Sequence, residues 1–389
     1  MSTLNQRRLP NHAFLSDEAL QRYTELTQQG FYDLARKELF WQARYRYLKD
    51  HGYLLRPRYS PKWQPSWTGT NRDPTFCEDS IKLILYQVMD ATRLSDNELV
   101  AIKSFLKDTQ ELKIVQYFAA IQDTKNHCVP IREILPDPYD SKFALMVMPF
   151  LRPCNNPEFS AVGDVIEFVD QTLEGLAFMH RHRVAHRSDR FYNLRNAELM
   201  RLSYSDVAVA NIMMDAKRLY PNGYHPIRID YTPDTLYPVS ALPRAGREVR
   251  YFYIDFGLSA QFPEGSPSYV VGDVGRDAEV PELSKTVPYD AFKVDIYALG
   301  NVYYKLFEKK FDNVEFLHSL IEMMKQQRPD QRPTADEALR EWQKIRASLS
   351  ESLFRWRLVP KAEPPIERVV NDTVALAWEG IHHLKKLVG

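Results

Sequence analysis

Apolar positions along the chain change their period several times, and each change marks an element. Residues 17–50 carry helical spacing. Leu20, Tyr23 and Leu26 share one face, Leu34 and the Leu39-Phe40-Trp41 run carry a second segment, Gly30 divides the two, and Gly52 ends the second. Residues 53–74 replace this period with Pro, Arg and aromatics. That composition predicts an extended arm packed on the fold, because Trp and Tyr favour burial. From about residue 80, "LYQVMDATRL" and "ELVAIKSFL" flank the polar turn Ser95-Asp96-Asn97, the signature of a hairpin. Leu112, Val115 and Phe118 then space out a helix, and "KFALMVMPFL" reads as a short buried strand. Residues 161–181 form an amphipathic helix with Val165, Val169, Leu173 and Leu176 on one face. Short strands at "NIMMD" and "YFYIDFG" follow, and then mainly helices to residue 389. Strands with one helix first and helices afterwards predict an α+β chain of two unequal lobes.

Composition narrows the partners. Lys plus Arg and Asp plus Glu are equal at 51 each, so the basic excess of a phosphate-backbone binder is missing and no nucleic-acid partner is expected. Cys77, Cys128 and Cys154 are odd in number and lack metal-ligand spacing, as expected of idle thiols in a reducing compartment. No run of about 18 apolar residues would span a membrane, and residues 1–20 lack the apolar core of a secretory signal. An intracellular, cytoplasmic protein with no membrane partner is expected, with the nucleus left open.

Three groups along the chain carry chemistry. Lys103 closes Val100-Ala101-Ile102, and alternation puts it on the side of Ala101. Glu111, eight residues later in the expected helix, offers a carboxylate to hold the ammonium, and a lysine so held can bind phosphate oxygens as a point charge. Asp206 precedes Asn211 by five residues, directly before the apolar "NIMM". Asp255-Phe256-Gly257 leaves another apolar strand through a glycine turn, a setting suited to Mg²⁺, which prefers oxygen ligands.

In this order, over roughly residues 80–347, these groups resemble the eukaryotic protein kinase superfamily, in a divergent fungal-type branch. Val280-Pro281-Glu282 stands where that family closes its activation segment. "VDIYALG", with Asp295 and Gly300, is similar to its central helix, and "RPDQRPTADEAL" to its last landmark. The resemblance implies a bilobal fold with a small β-rich N-lobe and a larger, mainly helical C-lobe. It divides the chain into an N-terminal helical extension and arm (1–78), an N-lobe (79–148), a hinge and C-lobe (149–347) and a helical tail (348–389). It also implies ATP and Mg as cofactors and transfer of the γ-phosphate to a protein hydroxyl, Ser/Thr rather than Tyr. By residue, Lys103 would bind the α/β-phosphates and Glu111 would orient it, Asp206 would accept the hydroxyl proton, and Asn211 and Asp255 would hold the metal. Val88, Ala101 and Met213 would enclose the adenine, with Met148 as gatekeeper and Pro149, Phe150 and Leu151 as the hinge. Arg332 would form a buried ion pair with Glu282, and Thr334-x-x-Glu337 is independently a capping box.

Asp189 competes with Asp206 for the catalytic place after His186-Arg187, but five residues beyond Asp189 stands Leu194, which cannot bind a metal. Choosing Asp206 makes Ser188–Ser205 an insertion, either a helical excursion or an in-frame retained intron. A second excursion, about 216–248, reads as an ordered loop that pads the C-lobe or docks a partner. Other positions depart from the family. No glycine stands between Asn71 and Val100, where a phosphate-covering loop is expected, and Ala208, Ala210 and Gly275 replace polar residues. Asp273, Asp277 and Glu279 read either as mimics of an activating phosphate near Arg187 or as a solvated cluster. These departures leave a second expectation, a pseudokinase acting as a binding or scaffold module. Small-molecule kinases rank lower, since they generally lack the Glu282–Arg332 pairing. His382 and His383 have no ligand spacing.

Overall fold

Side-chain caps decide where the first helices begin. In the computed structural model, which describes residues 9–187, 211–273, 277 and 279–373, helix α1 (Asp17–Gln28) starts at Ser16, whose hydroxyl accepts from Ala19 N–H at 3.4 Å. Gly30 follows at φ +76, a left-handed conformation that costs other residues about 1–2 kcal/mol. Helix α2 (Leu39–Asp50) begins later than the spacing of Leu34 predicts. The Glu38 carboxylate accepts the Ala35 N–H at 2.9 Å and holds the preceding turn out of the helix.

The chain is α+β and divides into two compact units. The first takes residues up to Lys107, Ile131–Phe150 and Lys217–Leu242. Its antiparallel sheet has the order β1-β2-β3-β5-β4, with β1 (Tyr53–Leu55), β2 (Val88–Arg93), β3 (Glu98–Leu106), β4 (Glu133–Pro136) and β5 (Phe143–Pro149). Met89, Ala91, Val100, Ile102, Leu145 and Val147 face one way and pack with Trp41, Leu48 and Tyr59. Full burial of each large side chain is worth roughly 1.5–3 kcal/mol.

A buried polar clamp fixes the arm to this sheet. Glu38 accepts from Arg58 (3.1 and 3.2 Å) and the Tyr59 hydroxyl (2.9 Å), and Arg56 donates to Asp90 of β2 at 2.9 Å. Burial alone would raise Glu38, but the Ala35 N–H, Arg58 and Tyr59 outweigh it and lower its pKa. Segment 217–242 packs in this same unit rather than padding the second. Arg228 lies 4.2 Å from the Tyr231 ring centre, His225 approaches Glu78 at 3.4 Å, and His12 contacts the Leu236 carbonyl at 3.3 Å. Its Pro- and Tyr-rich composition matches that of the arm.

The second unit takes Asp108–Pro130, Leu151–Ala216 and the chain from Pro243. Helix α3 (Gln110–Ala119) belongs here, with Phe118 stacked near Phe178 of α4 (Val162–Arg181), ring centres 5.8 Å apart. Around α4 lie α5 (Ala291–Tyr303), α6 (His318–Met324), α7 (Ala335–Ser348) and α8 (Glu351–Arg355). The α7 cap is the reciprocal Thr334–Glu337 box that the sequence predicts. Among the described residues, three small sheets complete the unit. Strands β6 (Arg152–Pro153), β8 (Ile212–Asp215) and β9 (Arg250–Tyr253) form one, and β7 (Val184–Ala185) pairs with β10 (Ala260–Gln261). The third, β11 (Tyr269–Gly272) with β12 (Ser284–Asp290), stands where mainly helices were expected. Its β-branched run and Pro288 favour extended backbone over helix. Among the described residues, no helix is long and apolar enough to cross a membrane.

Candidate functional site

Strand register gathers one set of the expected residues in the first unit. Val88 pairs with Lys103, Ala101 with Met148, and Lys103 with Met146. Because neighbours alternate, Val88, Ala101, Lys103 and Met148 share the sheet face opposite the Val100–Ile102 core. Phe150 follows β5, donates its N–H to Leu99 O at 3.4 Å, and lies 6.3 Å from the Tyr224 ring. The division between units falls between Phe150 and Leu151, within the expected hinge. Asp90, opposite Ala101, shares this face and is paired with Arg56 at 2.9 Å, so Lys103 stands among apolar side chains with one neutralised carboxylate beside them.

The glycine-free stretch before β2 is pinned to the arm and to the start of α2. Arg56 donates to Ile81 O at 2.8 Å, Leu83 is buried with its N–H 3.3 Å from Glu38, and Trp41 donates to Tyr86 O at 2.9 Å. These bonds occupy the carbonyls of Ile81 and Tyr86 and the N–H of Leu83. β1 comes from the arm, so residues 56–87 connect it to β2 in place of a tight glycine turn.

The second unit brings Asn211 and Asp255 together. Asn211 directly precedes β8, Asp255 follows β9 by two residues, and Ile254 N–H donates to Asn211 O at 3.0 Å. Both therefore stand at one end of the same strand pair, and Met213, opposite Phe252 and Pro153, lies within it. Asp255 has φ +60, uncommon for a residue with a side chain and a sign of local constraint. A methyl placed on Gly257 would lie 3.4 Å from Asp255 Oδ1 and 3.8 Å from Glu111 Oε2. The two carboxylates thus flank a common point at ordinary contact distance. The Asn211 amide and Asp255 carboxylate supply the hard oxygen donors that Mg²⁺ takes. Lys103 belongs to the first unit and Glu111 to the second. Asp206 lies outside the described residues, as do Asp189, Ala208, Ala210, Gly275, His382 and His383.

One aspartate organises the backbone beside these residues. Asp295 of α5 accepts the N–H groups of His186 and Arg187, each at 2.7 Å, and its Oδ2 also meets His180 Nε2 at 3.0 Å. His186 is fully enclosed, and burial lowers its pKa. The neutral ring donates from Nε2 to Ile254 O at 2.9 Å, while Ser259 donates to the His186 carbonyl at 2.7 Å. Phe256, fully buried, lies 5.1 Å from the His186 ring and 6.1 Å from Phe118. Sequence reading noted Asp295 as a landmark but missed this bonding. Its signal was a lone carboxylate inside the apolar run "VDIYAL", which must be hydrogen-bonded if buried.

The acids proposed as phosphate mimics have other partners. Glu279 pairs with Lys305 at 2.7 Å, Asp277 with Lys305 at 3.7 Å and with the Asn301 amide, and Asp273 with Lys285 at 3.7 Å. Glu282 and Arg332 form a two-pronged ion pair at 2.5 and 2.8 Å, with Arg332 buried against Tyr297. The three cysteines are buried, and burial raises each thiol, Cys154 to about 12, so none is a ready thiolate.

No family model and no curated protein matches the chain.

Proposed function

We propose that this chain is an ATP- and Mg-dependent protein kinase of bilobal kinase type, transferring the γ-phosphate to a protein hydroxyl, Ser/Thr rather than Tyr. The observation that carries the reading is the pairing of Asn211 and Asp255 at one strand end, with Glu111 beside Asp255. The sheet face of Val88, Ala101, Lys103 and Met148 supports it independently, as does the Glu282–Arg332 pair. Under this reading Lys103 holds phosphate oxygens, Asn211 and Asp255 hold Mg²⁺, and Asp206 takes the proton of the attacking hydroxyl. Bound Mg²⁺ supplies neutralisation of the phosphate charge.

A kinase-like binding module is the second reading, and the clamped 81–87 segment favours it. Transfer from labelled ATP to a mixed Ser/Thr/Tyr peptide library separates the two. The kinase reading expects incorporation on Ser or Thr that falls on the order of 10³-fold in Asp255→Asn. Nucleotide binding with no transfer would select the binding module, and transfer undiminished in Asp255→Asn would remove the assigned site.

A further inference from the structure

Helix α2 turns Trp41, Arg44 and Leu48 inward, and its opposite side forms one wall of a groove in the first unit. Leu39, Gln42, Ala43 and Arg46 of α2, Pro61 of the arm and Tyr139 of the β4–β5 connection line it, around a volume of about 350 Å³. Bonds beneath the groove fix its shape. The Asp137 carboxylate accepts from Arg44 through both oxygens, each at 2.8 Å, and takes the Tyr139 N–H at 2.8 Å. The Arg44 guanidinium lies 3.4 Å from the Phe40 ring centre and 5.2 Å from that of Tyr139. The Tyr139 hydroxyl donates to Ala43 O at 2.9 Å. A ring that is 67% exposed is therefore held at its backbone and at its hydroxyl. Such a side chain has little rotamer freedom left to lose on contact, and Tyr and Arg are the types that dominate binding surfaces.

The lining names the class of partner. Leu39, 47% exposed, Ala43, Pro61 and the Tyr139 ring give the groove an apolar floor. Its volume stands at the small end of the range for ligand sites and suits a side chain or two rather than a folded surface. Gln42 is half-buried, and its side-chain amide has no hydrogen-bond partner among the described residues. An amide sets a donor beside an acceptor, the complement of one peptide unit. Arg46 is exposed and makes no ion pair among the described residues. Over residues 36–50 the exposed charges are Arg36, Lys37, Arg46 and Lys49 against Asp50, because Glu38 and Arg44 are taken by Arg58 and Asp137. Lys62 beside Pro61 and Asp140 beside Tyr139 offset each other. The whole chain is neutral, so this basic excess is local. An extended peptide with a large apolar side chain next to Asp or Glu meets every feature: the apolar floor, the Gln42 amide and a charge-assisted bond to Arg46. A nucleic-acid strand stacks successive bases on several rings, and the lining offers one.

We propose that this groove docks an acidic peptide segment of a partner protein, anchored by one large apolar side chain. A displayed library of short random peptides, selected on the full chain, tests it, with affinities then measured by fluorescence anisotropy. The expected winners carry Leu, Phe or Trp beside Asp or Glu. Arg46→Glu and Ala43→Arg, both at exposed positions, should each weaken them about tenfold or more while leaving the urea midpoint in place. Replacing the acids of a selected peptide by Asn and Gln should weaken its binding to the native chain by a similar factor and abolish the difference from Arg46→Glu. Enrichment of no sequence, of basic sequences, or of peptides indifferent to both substitutions overturns the proposal. So does an oligo-dT strand bound with the same dependence on Arg46, which would assign the groove to nucleic acid.

Discussion

The sheet face carrying Lys103 and the strand end carrying Asp255 are built by different physics. On the sheet, a period of two places Val88, Ala101, Lys103 and Met148 together, and the core behind them is locked by a buried polar clamp. At the strand end, position rests on individual bonds: Ile254 to Asn211, and His186 and Arg187 to Asp295. A periodic face tolerates the loss of one contact. A strand end held by single hydrogen bonds does not, so it should fail locally while the sheet fails as a whole.

The largest expected effect is on the clamp. Glu38→Ala leaves the fully buried Arg58 guanidinium without its carboxylate, at a cost of about 3–5 kcal/mol. Urea unfolding is expected to show that loss as a lowered midpoint. A loss under 1 kcal/mol would mean that the sheet face does not depend on the arm. Asp295→Asn comes next. An amide can accept one of the two N–H groups but turns donors toward the other, costing about 2–3 kcal/mol. Amide exchange at His186 and Arg187 should accelerate well beyond that in the first unit, and uniform acceleration would break the distinction.

Legibility follows the same division. The β2–β3 hairpin, β5, α4 and the Thr334 cap were readable because each is declared by neighbouring residues: alternation, helical spacing, or a hydroxyl three residues before a glutamate. β1 was not, since Tyr53–Leu55 is a strand only through its pairing with Ala91–Arg93. The α2 start lies later because the Glu38 carboxylate takes the Ala35 N–H, and that carboxylate is itself held by Arg58 and Tyr59, both distant in sequence. The site residues were named by order along the chain, whereas the bonds that hold their backbone, Asp295 above all, are long-range and carry no local pattern. The clamp on residues 81–87 was also invisible, and it bears most on how a nucleotide would be covered.

The smallest effect concerns pH and belongs to the second unit alone. Burial pushes Glu167 of α4 up to about 7, with nearby Asp164 adding to the rise. A carboxyl raised in the folded state contributes stability that is full below its ordinary pKa and disappears as pH climbs through about 7. Allowing for partial exposure, the loss between acid and neutral pH is roughly 1–2 kcal/mol. Glu167→Gln should remove that slope from a pH series of urea midpoints. An unchanged slope would place the titration elsewhere.

Calorimetric titration with Mg-ATP tests the central claim most directly, comparing the native chain with Lys103→Ala. The account predicts saturable binding at one site, weakened about tenfold or more without the ammonium, as expected for a lost charge-assisted contact to phosphate. No binding to the native chain, or equal binding to both, would contradict it.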